Sequence, residues 1–196
     1  RRRYAGSGDR GAISDLYWQI QRSLAKLCWH LEAVNGEVTG RNLVLAALVL
    51  MYQRQRELTV LFSAFVAHAP KPLTDNELKM TAQLAARHFV DPMMPKHVEL
   101  EWPEWLMDDT SNALGGNLNE TLVALTFPAP TDVRINPIKI HSQRLLRDRL
   151  AGLGVKGHPT KLSPIGVRLQ KRTSLNQLSD WKNGIFEVQD EGSQIA

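Results

Sequence analysis

Apolar residues recur at three- and four-residue steps through the first half of the chain. Over residues 12–31, Ile13, Leu16, Tyr17, Ile20, Leu24, Leu27, Cys28 and Leu31 form one stripe, which predicts a single amphipathic helix with Asp9 as its cap. Residues 43–51 are apolar all round and rich in leucine and alanine, the pattern of a helix at the centre of a bundle. Leu58, Leu61, Phe62, Phe65 and Val66 predict another helix, closed by Pro70 and Pro72. Thr74-Asp75-Asn76-Glu77 has the spacing of a capping box, with Leu73 and Leu78 placed for a hydrophobic staple, and should start a helix running to about Arg87. Pro103 suits a first helical position, Gly115 and Gly116 a helix end, and Asn117 with Glu120 a further cap, so the bundle is expected to continue to Leu125.

The period changes at Phe127-Pro128-Ala129-Pro130, a stiff connector that disfavours helix before each proline. Beyond it, Val133-Arg134-Ile135-Asn136 reads as a short strand and residues 142–150 as a helix, with Gly152 and Gly154 its exit into Val155. Gly166-Val167-Arg168-Leu169 and Ile185-Phe186-Glu187-Val188 are further strand candidates. The fold class is therefore α+β: an all-helical bundle over 1–126, then a small α/β domain over 127–182.

Charge separates the two halves. Between Arg134 and Arg172 the cations are Arg134, Lys139, Arg144, Arg147, Arg149, Lys156, Lys161, Arg168, Lys171 and Arg172, against the acid Asp148. Residues 75–120 instead concentrate Asp75, Glu77, Asp91, Glu99, Glu101, Glu104, Asp108, Asp109 and Glu120, a face a phosphate backbone should avoid. The net charge of +4 and pI near 9.4 decide less than this distribution. A basic cluster binds nucleic acid chiefly through counterion release, which makes RNA a reasonable partner for the second half and for Arg1, Arg2 and Arg3. Surface lysines and arginines are also commonly just solvated.

Composition narrows the remaining chemistry. With 43% hydrophobic and 22% charged residues the chain is expected to fold, and its longest apolar run, residues 43–52, reaches about half of the roughly 20 residues a spanning helix needs. No membrane partner is expected. The chain opens on three arginines rather than Met, without a signal core, so its start reads as trimmed and its compartment as the cytoplasm. One cysteine, Cys28, excludes an internal disulfide and a cysteine-rich zinc site; its place on the apolar stripe suggests core packing rather than nucleophilic attack. His30, His68, His88, His97, His141 and His158 show no metal-ligand spacing, and Gly6-Ser7-Gly8 lacks the lysine and spacing of a phosphate loop. Glu99, Glu101 and Glu104 flank Trp102 and Trp105, which reads as a helix start with its charges in water. No catalytic, metal or cofactor residue is assigned.

The closing stretch Asn183-Gly184-Ile185-Phe186-Glu187-Val188-Gln189-Asp190-Glu191-Gly192-Ser193-Gln194 resembles the lead-in to the methyltransferase domain of the Sun family, bacterial RNA cytosine-5 methyltransferases related to ribosomal small-subunit methyltransferase B. Asp132-Val133-Arg134-Ile135-Asn136 with Lys139, then Leu162-Ser163-Pro164-Ile165-Gly166-Val167-Arg168-Leu169, follow in the order that family shows. Arg3-Tyr4-Ala5-Gly6-Ser7-Gly8-Asp9-Arg10 and the helix after it resemble the family's leading module, which is similar to the antitermination factor NusB. The resemblance implies that residues 183–196 lead into a Rossmann-type catalytic domain absent from this chain, and that the first helix of the NusB-like module precedes Arg1.

In the full-length enzyme the resemblance implies S-adenosylmethionine as methyl donor, a cysteine thiolate adding to cytosine C6 and a second cysteine assisting release. These modules would grip RNA, ribosomal by the resemblance, and orient it for the chain's own catalytic domain; no cofactor is expected on this fragment, which would be inactive alone. Arg134, Lys139, Arg168, Lys171 and Arg172 are the expected phosphate contacts, with Arg1, Arg2, Arg3 and Arg10 a second patch. Arg134 and Asn136 could instead pin the small domain against the catalytic one. Gln189, Asp190 and Ser193 are expected to cap or wall the cofactor domain's first helix. Two competing functions are a free-standing NusB-like RNA-binding or antitermination factor and a protein-interaction scaffold using the acidic helical face.

Overall fold

The computed structural model describes residues 6–64, 69–171 and 173–196. Arg1, Arg2, Arg3, Arg172 and the Phe65-Val66 end of a predicted helix lie outside them. The chain divides into two compact units between Phe127 and Pro128, at the proline-rich connector.

The first unit is helical: α1 (Ser7–Gln21), α2 (Leu24–Ala33), α3 (Gly40–Leu50), α4 (Leu58–Leu61), α5 (Asp75–Ala85), α6 (Lys96–Glu99), α7 (Met107–Leu114) and α8 (Leu118–Leu125). As its all-round apolar character predicts, α3 lies at the centre. Its Leu45, Ala46 and Ala47 are fully buried in the cluster that holds Leu27 and Leu31 of α2 and Leu84 of α5. The capping box at α5 is formed: the Thr74 hydroxyl accepts from the Glu77 amide (3.3 Å) and the Glu77 carboxylate from the Thr74 amide (2.8 Å). Arg41 of α3 donates to Glu77 at 2.5 Å and stacks over Phe62 at 5.0 Å, and this partner holds the Glu77 carboxyl below its ordinary range.

Three local expectations are corrected. The predicted helix over 12–31 is two helices, broken at Arg22-Ser23, and the cap of α2 comes from far along the chain. Glu101 accepts from the amides of Ala25 (2.8 Å) and Lys26 (3.1 Å) and pairs with Lys26 Nζ (3.2 Å), filling the role a side chain at position 23 would normally take. Asp9 lies inside the first turn of α1, accepting from the Gly6 amide at 2.8 Å, rather than ahead of it. The helix expected from Leu58 onward stops as α4 at Leu61, where Phe62 leaves helical geometry (φ −106°, ψ 52°) to bury its ring.

His30 is buried completely. Its Nε2 lies 3.1 Å from the Phe89 carbonyl and its Nδ1 accepts from Arg87 Nε at 3.0 Å, which fixes a neutral ring; Arg87 also pairs with Asp91 (3.4 Å) and stacks over Trp29. Burial first, and the Arg87 charge after it, push the His30 pKa below its ordinary 6.5. The unfolded chain therefore binds the proton at a higher pH than the folded one. The stabilisation from neutral His30 is complete above about 6.5 and is lost as pH falls through and below that value. Urea titrations at about pH 7.5 and pH 5.5 should show the helical unit losing stability at the lower pH, and His30→Gln should narrow the gap; an equal gap in both proteins would refute the assignment.

The second unit contains β1 (Thr131–Ile135), α9 (Gln143–Gly152), β2 (Gly157–Pro159), β3 (Gly166–Leu169), α10 (Ser179–Lys182), β4 (Phe186–Val188) and α11 (Glu191–Ile195). Among the described residues these strands form one sheet in the order β2-β3-β1-β4, every neighbouring pair antiparallel. The strand and helix expected from sequence at 133–136 and 142–150 are followed by β2, which runs the same way as β1 but is separated from it by β3. The architecture is α+β, and residues 183–196 contribute β4 and α11 to this unit. Val133, Leu146, Leu150, Val167 and Phe186 fill the space between sheet and helices. Gly166 permits a close approach, since a Cβ there would sit 2.3 Å from the Thr160 hydroxyl and 2.7 Å from Gln194 Oε1. Among the described residues, no helix is long and apolar enough to cross a membrane.

Candidate nucleic-acid interface

The stretches that carry the family resemblance meet in space. Asp132 and Arg168 face each other across β1 and β3, and the pair is bidentate: Arg168 Nε and Nη2 donate to the two Asp132 oxygens at 2.7 Å each. Asp132 is buried and also accepts from the Glu191 amide at 3.3 Å, at the start of α11. Glu191 in turn accepts from the amides of Leu162 (2.5 Å) and Ser163 (3.1 Å) and from Arg168 (3.3 Å). Those amides, the Leu162 bond first, hold the Glu191 carboxyl below its usual range, and Asp132 holds Arg168 firmly protonated. Gln194 closes the ring, with Oε1 2.7 Å from Ser163 Oγ and its amide nitrogen donating to the Gln189 carbonyl at 2.8 Å. Asp190 caps α11 at the Gly192 amide (2.8 Å), and Gln189 reaches the Ser193 carbonyl at 3.4 Å.

The expected phosphate contacts fall into different environments. Arg168 is committed to Asp132 and Glu191, so most of its charge is spent inside the unit. Arg134 pairs across strands with Glu187. Lys139 is exposed and donates to the Asn183 carbonyl at 2.7 Å, while Asn136 Nδ2 donates to the Gly184 carbonyl at 3.0 Å. Arg134, Asn136, Ile138 and Glu187 line a cleft of about 460 Å³, with Ile138 88% exposed at its rim. Arg149 is bound bidentately by Asp180 (2.7 and 2.6 Å), which pulls the Asp180 carboxyl down. Arg10 is exposed in α1. Arg1, Arg2, Arg3 and Arg172 are outside the described residues.

Lys171 stands beside a residue that sequence reasoning did not single out. The β2–β3 pairing brings Lys156 and Lys171 to one hollow of about 300 Å³, both exposed and without a carboxylate partner among the described residues. With the exposed Lys139, Lys161 and Lys182, and with Arg144, whose contact to Asp148 is a loose 3.9 Å, they are cations that the described part of this unit leaves for an external polyanion. The separation in sequence hid the pairing; only the strand register reveals it.

In the first unit, two expectations change. Cys28 is partly buried at the wall of a groove rather than packed in the core, and burial, with the Glu32 and Glu101 charges behind it, pushes its thiol pKa up, so it stays protonated. Glu101 is not solvated, since only 9% of its side chain is exposed. Among the described residues no three metal-ligating side chains converge.

The order of elements in the second unit, β-α-β-β-α-β with β1 and β3 central, is that of a ferredoxin-like domain. Residues 102–176 match the family model of the RsmF/B-like methyltransferase ferredoxin-like domain. Over those residues the chain is similar to an RsmF/B-like domain. The matched segment begins at Trp102, in the helical unit, and ends before β4 and α11. Among solved structures, the crystal structure of PH0851 is similar to 97% of this chain with a TM-score of 0.60 and 13% identity, a likeness of fold. The chain spans about half of that structure, 46% of its length. No curated protein matches the chain in sequence. The Asp132–Arg168–Glu191 network joins β1, β3, the 162–163 turn and α11, and so ties the matched segment to residues that follow it.

Proposed function

We propose that this chain is the RNA-engaging, substrate-positioning region of an S-adenosylmethionine-dependent RNA cytosine-5 methyltransferase, acting on ribosomal RNA in the cytoplasm, with catalysis supplied by a domain of the same protein. The match of residues 102–176 to a methyltransferase-associated domain carries this reading. In this reading the described residues leave the methyl donor to that other domain. Their task is to hold RNA while a base is presented elsewhere.

The contact surface is the set of exposed lysines rather than the internally paired arginines. Lys156 and Lys171 together offer two ammonium groups for the phosphate backbone, while Arg168 serves the fold. Fluorescence anisotropy of a single-stranded RNA, titrated at several salt concentrations, should give a log–log slope set by the number of phosphates neutralised. Lys156→Ala with Lys171→Ala should weaken binding and make the slope shallower by roughly 1.4, about 0.7 for each contact on a single strand. An unchanged slope would remove this hollow from the interface, and RNA affinity that ignores salt would overturn the RNA reading itself.

A further inference from the structure

We propose that the groove between α2 and the segment following α6 receives an arginine-bearing segment of a partner protein. Trp29, Cys28 and Glu32 line one side, and Glu101, Trp102 and Glu104 the other, around a volume of about 620 Å³; no lysine or arginine lines it among the described residues. The charge of Glu101 is met internally by Lys26 and two amides. Glu32 and Glu104 are exposed and have no ion pair among the described residues. Two carboxylates therefore stand unmatched beside the Trp102 indole and the Trp29 indole, one face of which Arg87 already covers.

That combination suits a guanidinium better than an ammonium. Its planar group forks onto a carboxylate and stacks on an aromatic face, and it gives up water more readily. The molecule contains its own example: the Arg87 guanidinium lies 4.9 Å over the Trp29 ring. RNA is disfavoured here by the same carboxylates. The proposal is independent of the RNA reading, because it uses the acidic face of the helical unit that phosphates should avoid.

A hexa-arginine peptide serves as the probe, with calorimetry for affinity and the indole N–H signals of Trp29 and Trp102 for location. Binding should shift both signals, and hexa-lysine should bind more weakly. Glu32→Gln with Glu104→Gln should weaken hexa-arginine binding about tenfold, whereas Asp108→Asn with Asp109→Asn, exposed carboxylates on α7 outside the groove, should change it by less than about twofold. Equal losses in the two double variants would reduce the effect to general surface charge and overturn the proposal. So would binding that leaves both indole signals in place, or an RNA titration that shifts them.

Discussion

Asp132→Ala should cost the second unit about 3–5 kcal/mol, because it strips the bidentate partner from Arg168 and one acceptor from the Glu191 amide by removing a carboxylate whose side chain is fully buried. Asp132 is 2% exposed, so no solvent replaces the lost contacts easily. For a unit of this size that is a fall in midpoint of roughly 12–40 °C, at about 4–8 °C for each kcal/mol. Hydrogen exchange over 131–135 and 166–169 reads it directly: amides in β1 and β3 should lose protection while α3 keeps its own. Asp132→Ala with Arg168→Met should recover part of the loss, since the guanidinium no longer lacks its main partner, while Glu191 keeps the Leu162 and Ser163 amides. If Asp132→Ala left β1 and β3 as protected as before, the network would not be what holds the sheet.

Glu101→Ala should have the second-largest effect, on the helical unit. It removes the cap from the first turn of α2 and leaves Lys26, whose side chain is 9% exposed, without its counter-charge. The cap alone is worth about 1 kcal/mol, and an uncompensated buried charge about 3 kcal/mol or more. Circular dichroism during urea titration should show a lower midpoint than in the unaltered chain, and adding Lys26→Met should regain most of the charge contribution but not the cap. A midpoint unmoved by Glu101→Ala would mean that α2 starts at Ser23 for local reasons.

These two carboxylates mark the limit of what a linear reading reveals. The capping box at Thr74 and Glu77 spans three residues and is visible as a spacing, as is the apolar helix that became α3. Glu101 acts 75 residues away from the amide it caps, and it does so from a left-handed backbone conformation (φ 54°) that its neighbours give no sign of. The unbroken apolar stripe over 12–31 therefore concealed the break between α1 and α2: Ile20 and Leu24 keep the helical spacing on both sides of it.

The interface shows the same division. Charge clustering located a basic second half, but whether a cation faces outward depends on what lies across the strand. Arg168 stands opposite Asp132, and Arg134 opposite Glu187, so both are matched inside the unit. Lys156 and Lys171 come together only once β2 and β3 are paired. The family-like stretches were legible because each is a short run of fixed side chains, and their geometry explains the run: Asp132, Ser163, Arg168, Glu191 and Gln194 each have a hydrogen-bonding partner in another stretch.

β1 is the first strand of its sheet to be made, yet both of its neighbours are encoded later, and one of them, β4, lies beyond the segment matched by the family model. A fragment trimmed at residue 176 would bare a row of amides and carbonyls along Val133, Arg134 and Ile135 that Phe186, Glu187 and Val188 now cover. Such an uncovered margin invites another chain to pair there, so a soluble excised piece has to extend past Gln194, where the last tie to Ser163 is made.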